Sequence, residues 1–437
     1  MNIGDKFTCL LNPQKLWIIV RLILSGGEAD LFEVFGDGQP AALKLFFASG
    51  STPARERHCR RLIEEGPPHP ALVYPYDIVR TADGRLGMLM PLIPREFHQA
   101  TELASLPDDQ RPSLRNTVRA CLNVCLAYHA VIRAGLNYVD VSGGQIMVSA
   151  TGAVKVCDVS NIVDRVTPAF NLCTFGYTAP ELWLGKTLPS VATGRFSLSI
   201  VLFELLCGGH PLYGRRLPRI LGPEDENQAL HINPLFIFDP HDDSNSADPV
   251  EHAAVLAMWP ILTTKVRALF TRQFTLGIGK PNERVIEIDW IDALVDMYSN
   301  CFLCQCGAEN FFDPAVAGAK CWNCPEALPR PTRLRLRSQR EIVLCTSTEV
   351  TRYDITGREV YDFAPVGRIV CDALAPGSVE LLNVSKNVWS WRRGAGPQRA
   401  IPPRGKAPLL KDATITFFPG STAVVVTELR SNKPLVL

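Results

Sequence analysis

Two aspartates on either side of a hairpin signal, with one lysine far upstream, restrict this chain more than any other feature. Asp140 ends Asn137-Tyr138-Val139-Asp140, directly after a run with helical spacing, and Asp158 sits in Val156-Cys157-Asp158-Val159-Ser160, beyond a turn at Thr151-Gly152. Lys44 closes the apolar strand-like run Ala41-Ala42-Leu43-Lys44, which follows Ser25-Gly26-Gly27-Glu28-Ala29-Asp30-Leu31. Downstream lies Thr174-Phe175-Gly176-Tyr177-Thr178-Ala179-Pro180-Glu181. Singly, each has a plain explanation as a surface lysine, a turn cap or a solvated loop acid. In this order and setting they form one pattern.

The surrounding text supplies elements for that pattern. Residues 16 to 95 read as short strands with turn punctuation, Asp83-Gly84 being a hairpin signal. From Ser113, Leu114, Val118, Leu122, Cys125 and Val131 recur on one helical face up to Gly135, and a second apolar helix runs from Phe196 to Cys207 before Gly208-Gly209. Pro223 to Pro249, rich in Asp, Asn and Pro, predicts a long irregular insert, with helical periodicity resuming near Glu251.

The ordered motifs resemble those of protein kinases over about residues 15 to 298. The resemblance implies a two-lobed fold in which Gly26 and Gly27 let backbone amides approach phosphates and Lys44 neutralises the α- and β-phosphates. Glu56, in the basic run Arg55 to Arg61, is the expected carboxylate partner of Lys44. Asp140 is expected to orient and deprotonate a substrate hydroxyl, and Asp158 to hold magnesium. Ala179-Pro180-Glu181 resembles the end of an activation segment, with Arg284 as the buried partner of Glu181 and Thr174 and Thr178 as substrate-platform or regulatory residues. His129 is read as a packed helix residue, not a base.

The pattern also departs from kinases. The second magnesium position is Gln145 instead of asparagine, Ser142 stands where many Ser/Thr kinases have lysine, and Gly194 stands where the helix aspartate bonds the catalytic loop. Leu24 and Ala29 replace two loop glycines, and Val159 and Ser160 replace the Phe-Gly after the metal aspartate. A pseudokinase that binds nucleotide and recruits partners is therefore the alternative function. A small-molecule kinase is disfavoured by the Thr174–Glu181 platform.

The cysteines point to a metal. Cys301, Cys304 and Cys306 are followed by Cys321-Trp322-Asn323-Cys324, two knuckles able to hold one zinc through four thiolates. Cys304 and Cys306 are favoured in the first knuckle with Cys321 and Cys324 in the second, and Cys301 is the reserve. Four thiolates leave no open position, so the zinc is expected to be structural. Arg330, Arg333, Arg335, Arg337 and Arg340 follow at mostly alternate spacing and read as a solvated strand face. With 45 Lys plus Arg against 44 Asp plus Glu, the chain has no net field for nucleic acid or an anionic membrane, and no early apolar run is long enough to span a bilayer. A cytoplasmic protein is expected.

Beyond Pro325 the chain alternates short Val/Ile/Leu runs with Gly/Pro turns, predicting a terminal β-sandwich. Segments 366–370, 381–387 and 411–418 resemble strands of a forkhead-associated domain, with Arg368, Ser385 and Asn387 as matching loop residues. The expected Ser-Arg-x-His stretch is replaced around Cys371-Asp372-Ala373, which favours protein docking over phosphothreonine reading. As a whole the sequence resembles the kinase component of the bacterial TerY-phosphorylation triad. That resemblance implies an α+β chain with a kinase-like domain (1–298), a zinc ribbon (299–328) and a forkhead-associated-like sandwich (329–437). It further implies a protein Ser/Thr kinase using ATP and Mg2+, with a von Willebrand-A-type protein and a PP2C-type phosphatase as partners.

Overall fold

The computed structural model describes residues 1–164, 174–216, 222–345, 348–357, 362–371 and 379–426. They divide into two compact units: unit 1 is Met1–Met258 with Leu269–Ile291, and unit 2 is Trp259–Ala268 with Asp292–Leu437. The stretch after Cys371, and residues 165–173 ahead of Thr174, lie outside the described residues.

Unit 1 opens with strands β1 (Lys6–Thr8), β2 (Leu16–Ser25), β3 (Ala29–Gly36), β4 (Gln39–Phe46), β5 (Asp77–Arg80) and β6 (Leu86–Pro91), forming an antiparallel sheet of order β1-β2-β3-β4-β6-β5. Alternation along the strands buries Phe7, Trp17, Ile19, Val34, Leu43 and Leu45 in one cluster. Ala42, Phe46, Ile78 and Met88 lie in another, which includes Cys59 of helix α1 (Pro53–Glu65). Helix α1 starts where the Thr52 side chain accepts from Arg55 N–H and Pro53 takes the first turn, and it stops at Gly66, φ +69°.

Strand β7 (Phe97–Gln99) leads into helix α2 (Leu114–Arg133), capped by Ser113. Two small pairings follow, β8 (Asn137–Tyr138) with β11 (Ile162–Val163), and β9 (Ile146–Ser149) between β7 and β10 (Val154–Val156). They carry Asp140 and Asp158 on the connections between strands. Helix α3 (Pro180–Trp183) precedes α4 (Val191–Cys207), which is apolar around nearly its whole circumference and is accordingly buried. A Ser190–Thr193 capping box starts α4 and left-handed Gly208 ends it.

The segment expected to be wholly irregular contains a short helix, α5 (Pro223–Asn227). Pro223 at the first helical position and acids in the first turn are what a helix start favours. A π-helical turn, Gln228–Ile232, continues α5, and from Asn233 to helix α6 (Ala253–Met258) the chain runs without strands or helices. Helices α7 (Thr264–Phe274), α8 (Leu276–Gly279) and α9 (Glu287–Ser299) follow.

In unit 2, β12 (Cys301–Leu303) and β13 (Glu309–Phe311) make a hairpin. Next come β14 (Arg333–Leu336), β15 (Glu341–Val343), β16 (Glu349–Thr351), helix α10 (Arg352–Thr356), β17 (Pro365–Cys371), β18 (Val379–Asn383), β19 (Trp389–Arg393), β20 (Arg399–Ile401), β21 (Lys406–Pro408), β22 (Ala413–Phe418) and β23 (Ser421–Val426). They form sheets of order β15-β14-β23-β22-β19-β20 and β16-β17-β18-β21. Leu334, Ile342, Trp389, Ile415 and Val425 of the first and Val350, Ile369, Leu381 and Ala407 of the second share one apolar core.

Candidate functional site

Lys44, in the middle sheet strand β4, points its ammonium at Asp158 Oδ1, 2.6 Å away and mostly buried on the lysine side. Asp158 occupies a left-handed turn, φ +55°, which turns its carboxylate out of the strand direction. Ser160 Oγ–H donates to the same oxygen at 2.6 Å. Burial opposes the charge on Asp158, but Lys44 and these hydrogen bonds outweigh it and hold the carboxyl below its usual range.

Asp140 lies on the loop after β8. Its Oδ1 accepts from both Thr174 Oγ–H (2.7 Å) and Thr174 N–H (3.1 Å). Burial chiefly, with the charge of Asp158, pushes its carboxyl up against the pull of those hydrogen bonds. The structure thus gathers Lys44, Asp140, Asp158 and Thr174 around one site. Thr178, buried, returns its hydroxyl to Thr174 O at 3.0 Å and fixes the platform beneath Asp140. Gly26 closes the loop between β2 and β3 through its N–H to Ala29 O, 2.9 Å, and Gly27 at the tip has open space where a side chain would point.

Two expectations about this site need correcting. Glu56 does not meet Lys44: it accepts from Arg60 one helical turn on (2.8 Å) and from Arg80. From α1, Cys59 joins the cluster of Phe46 and Met88 and Ile63 packs against it, and burial pushes the Cys59 thiol up to about 12 against the pull of Arg55 and Lys44. Gln145 does not aim its carboxamide oxygen into the site either. That oxygen accepts from Ser142 N–H and from Tyr138 O–H, each 3.2 Å away, so the longer arm folds back into a capping box, while Nε2 approaches Asp140 Oδ2 at 3.5 Å.

Several participants were missed in the sequence. Asn161 Nδ2 reaches Asp140 Oδ2 from the opposite loop at 3.5 Å. At Gly194 a side chain would run into the buried Tyr128 hydroxyl, and Tyr138 O would lie 3.0 Å from its Cβ, so tyrosine occupies the space an aspartate would need. Tyr177 O–H donates to Glu204 Oε2 at 2.7 Å, under Gly143 of the loop that follows Asp140. Glu204, one acid in the apolar run from Phe196 to Cys207, was the legible signal, since a buried carboxylate needs a donor. His129 lies buried in α2, 3.5 Å from Glu287.

Burial holds the Glu204 carboxyl up at about 7 despite the hydrogen bond from Tyr177. A raised carboxylate pKa means the folded state favours the protonated form, so stability is present at acid pH and lost as pH rises from the unfolded value through about 7. Glu204→Gln should therefore raise stability at pH 8 by roughly 1–3 kcal/mol and flatten the stability profile between pH 5 and 8. Urea unfolding at both pH values reads this; an unchanged difference between them rules it out.

Glu181 and Arg284 meet through paired bonds of 2.7 and 2.8 Å, with the arginine side chain fully buried. In unit 2, Cys304, Cys306, Cys321 and Cys324 present sulfurs all within 4.8 Å of one another, whereas Cys301 lies in β12 outside the cluster. A tetrahedral ion with metal–sulfur bonds of about 2.3 Å spaces its sulfurs by roughly 3.8 Å. Cys304–Cys324 at 3.6 Å and Cys306–Cys321 at 3.7 Å fit that spacing, and Asn323 N–H and Asn310 Nδ2 donate to Cys321 Sγ. The donor set is compatible with zinc.

A strand lysine on one acid, a second acid engaging a threonine hydroxyl, and a buried Ala-Pro-Glu carboxylate–arginine pair define a protein-kinase-like site. No family model matches the chain. Among curated proteins, the serine/threonine-protein kinase PknB of Mycobacterium tuberculosis is 30% identical over 154 residues, covering 33% of this chain and 24% of that protein. The probable serine/threonine-protein kinase CE0033 of Corynebacterium efficiens is 27% identical over 203 residues, covering 44% and 30%. The carbon catabolite-derepressing protein kinase of Candida tropicalis is 23% identical over 207 residues, covering 45% and 32%. The chain spans about a quarter to a third of the length of these relatives. Over the matched stretch it is homologous to bacterial serine/threonine-protein kinases. The solved Mycobacterium tuberculosis PknI kinase domain aligns with 68% of this chain and 98% of its own at 16% identity, TM-score 0.45. Among the described residues no helix is long and apolar enough to cross a membrane.

Proposed function

We propose that this protein is an ATP- and magnesium-dependent protein Ser/Thr kinase of a bacterial signalling cassette. The observation that carries the reading is Asp140 Oδ1 receiving a threonine hydroxyl at 2.7 Å beside the Lys44–Asp158 pair. A substrate hydroxyl in that position is oriented by Asp140 and loses its proton to it as the oxygen attacks the γ-phosphorus and ADP leaves. Lys44 exchanges Asp158 for the α- and β-phosphates. Asp158 would hold magnesium, which when bound would supply charge neutralisation to the phosphates.

Around this core, residues 1–298 make up the kinase-like domain, 299–328 a structural zinc ribbon and 329–437 a forkhead-associated-like β-sandwich for docking. Its partners are a von Willebrand-A-type protein and a PP2C-type phosphatase. Arg368 is paired with Glu349 at 2.8 Å, and Ser385 is tied to Asn383, an arrangement that supports docking over phosphothreonine capture. The alternative is a nucleotide-binding scaffold without transfer. The engaged oxygen of Gln145 and the absence of a carboxylate at Gly194 favour it.

Intact-mass spectrometry after incubation with Mg-ATP and the two partner proteins decides. A gain of phosphate on the chain or a partner supports the kinase; no gain, with Mg-ATP still raising the melting temperature, establishes the scaffold. For the ribbon, metal analysis should find about one zinc per chain, and Cys321→Ser should bring it close to zero with a lower melting temperature for unit 2. Zinc-free wild type with the same melting temperature would remove the metal from the account.

A further inference from the structure

Helix α1 turns basic side chains toward the loops of the candidate nucleotide site. Arg55, His58 and Arg61, at spacing i, i+3, i+6, lie along one side of the helix, and each reaches a different functional loop. Arg55 Nη1 donates to Glu28 Oε2 of the loop between β2 and β3 at 3.2 Å. His58 Nε2 meets Ser160 O at 3.2 Å, and Ser160 in turn holds Asp158. Arg61 pairs with Asp164.

Arg55 is the most built of these contacts. Its side chain is 5% exposed, and its guanidinium lies over the Phe46 ring at 4.4 Å, the ring that Lys44 Nζ approaches at 5.4 Å. Gly50 leaves room for it, since a Cβ there would stand 3.1 Å from Nη1. The loop it grips is fastened elsewhere too. Phe47 N–H donates to Glu28 O at 2.8 Å, and Arg85 holds Asp30 Oδ2 at 2.9 Å. A loop with glycine at only Gly26 and Gly27 has little intrinsic freedom to mould itself onto phosphates, so its position has to be set from outside.

We propose that Arg55 is the positioning residue that helix α1 contributes to the nucleotide site: by holding Glu28 it fixes the Ser25–Asp30 loop in phosphate-receiving position. This tether does the work expected of a Lys44–Glu56 pair, with the sign of the helix charge reversed. The inference rests on the nucleotide-binding half of the proposed function and is independent of whether transfer follows.

The test is isothermal titration calorimetry of the full chain with Mg-ADP and Mg-ATP, alongside the melting temperature of the nucleotide-free protein. Arg55→Gln and Glu28→Gln should each weaken binding roughly tenfold, the range expected for losing a charge-assisted hydrogen bond. The double variant should be no weaker than either single one, and Arg55→Lys should stay within about threefold of wild type. Arg57→Gln, an exposed arginine on the same helix, controls for the charge change. If transfer is measurable, the loss should appear in KM for ATP and not in kcat. If Arg55→Gln fails to fold, Glu28→Gln, on the loop, decides alone. Affinities equal to that of Arg57→Gln, or additive losses in the double variant, overturn the tether. Wild type that binds no nucleotide overturns it together with the nucleotide site, whereas wild type that binds without transferring removes only the kinase reading.

Discussion

Replacing Asp140 by asparagine should lower phosphoryl transfer by about 10²- to 10⁴-fold while leaving Mg-ATP affinity within about threefold of wild type. The carboxylate's two hydrogen bonds from Thr174 end on Oδ1, and an asparagine oxygen in that place still accepts both. The bonds to Thr174 are therefore kept, while the new amide nitrogen stands where Oδ2 accepts from Gln145 Nε2 and Asn161 Nδ2, so the loss combines the missing proton acceptor with those two long contacts. Because burial pushes the Asp140 carboxyl above its usual value, wild-type activity should fall on the acid side as pH drops through that raised value, since the base form is the working form. The variant's residual rate should lack that acid limb. Equal rates for wild type and Asp140→Asn would mean that any phosphate transferred does not pass through this site, whereas a variant that also loses Mg-ATP would place Asp140 in nucleotide binding.

How much of this arrangement the sequence disclosed depends on the distance over which each relation acts. Lys44, Asp140, Asp158 and the cysteine knuckles lie in short segments whose local setting (strand end, hairpin turn, knuckle spacing) fixes where the side chain goes, so their convergence was legible. The Lys44–Glu56 pairing was not. Neighbouring residues on a helix point about 100° apart, so an error of one position exchanges Arg55, which faces the loop, for Glu56, which faces Arg60 and Arg80. Gln145 failed for a different reason. Its oxygen was chemically suitable, but the extra methylene lets it reach its own loop's Ser142 N–H, a competition visible only once the loop is folded. Tyr128 against Gly194 and Tyr177 on Glu204 join segments far apart in the chain, and only the missing aspartate and the solitary buried acid marked them. The helix at Pro223 was legible and was outweighed by the composition around it.

The second large effect concerns stability. Arg284→Ala should destabilise unit 1 by about 3–5 kcal/mol, the cost of leaving one member of a buried ion pair behind. Arg284 is 0% exposed at its side chain and spends every guanidinium nitrogen: Nη1 and Nη2 on Glu181, Nη1 also on Ala192 O at 2.9 Å, and Nε on Gly277 O at 2.9 Å. Its plane also lies 5.1 Å from the Phe196 ring centre, so truncation removes packing along with charge. Lysine at this position keeps the charge but loses the fork that meets both carboxylate oxygens and two carbonyls, and should recover less than half of the loss. The double replacement Glu181→Met with Arg284→Met should cost clearly less than the two single changes added together, because no charge is then stranded. Differential scanning calorimetry of the full chain measures each value. An Arg284→Ala protein within about 1 kcal/mol of wild type would show that the pair does not hold the Thr174–Glu181 segment against α4 and α8.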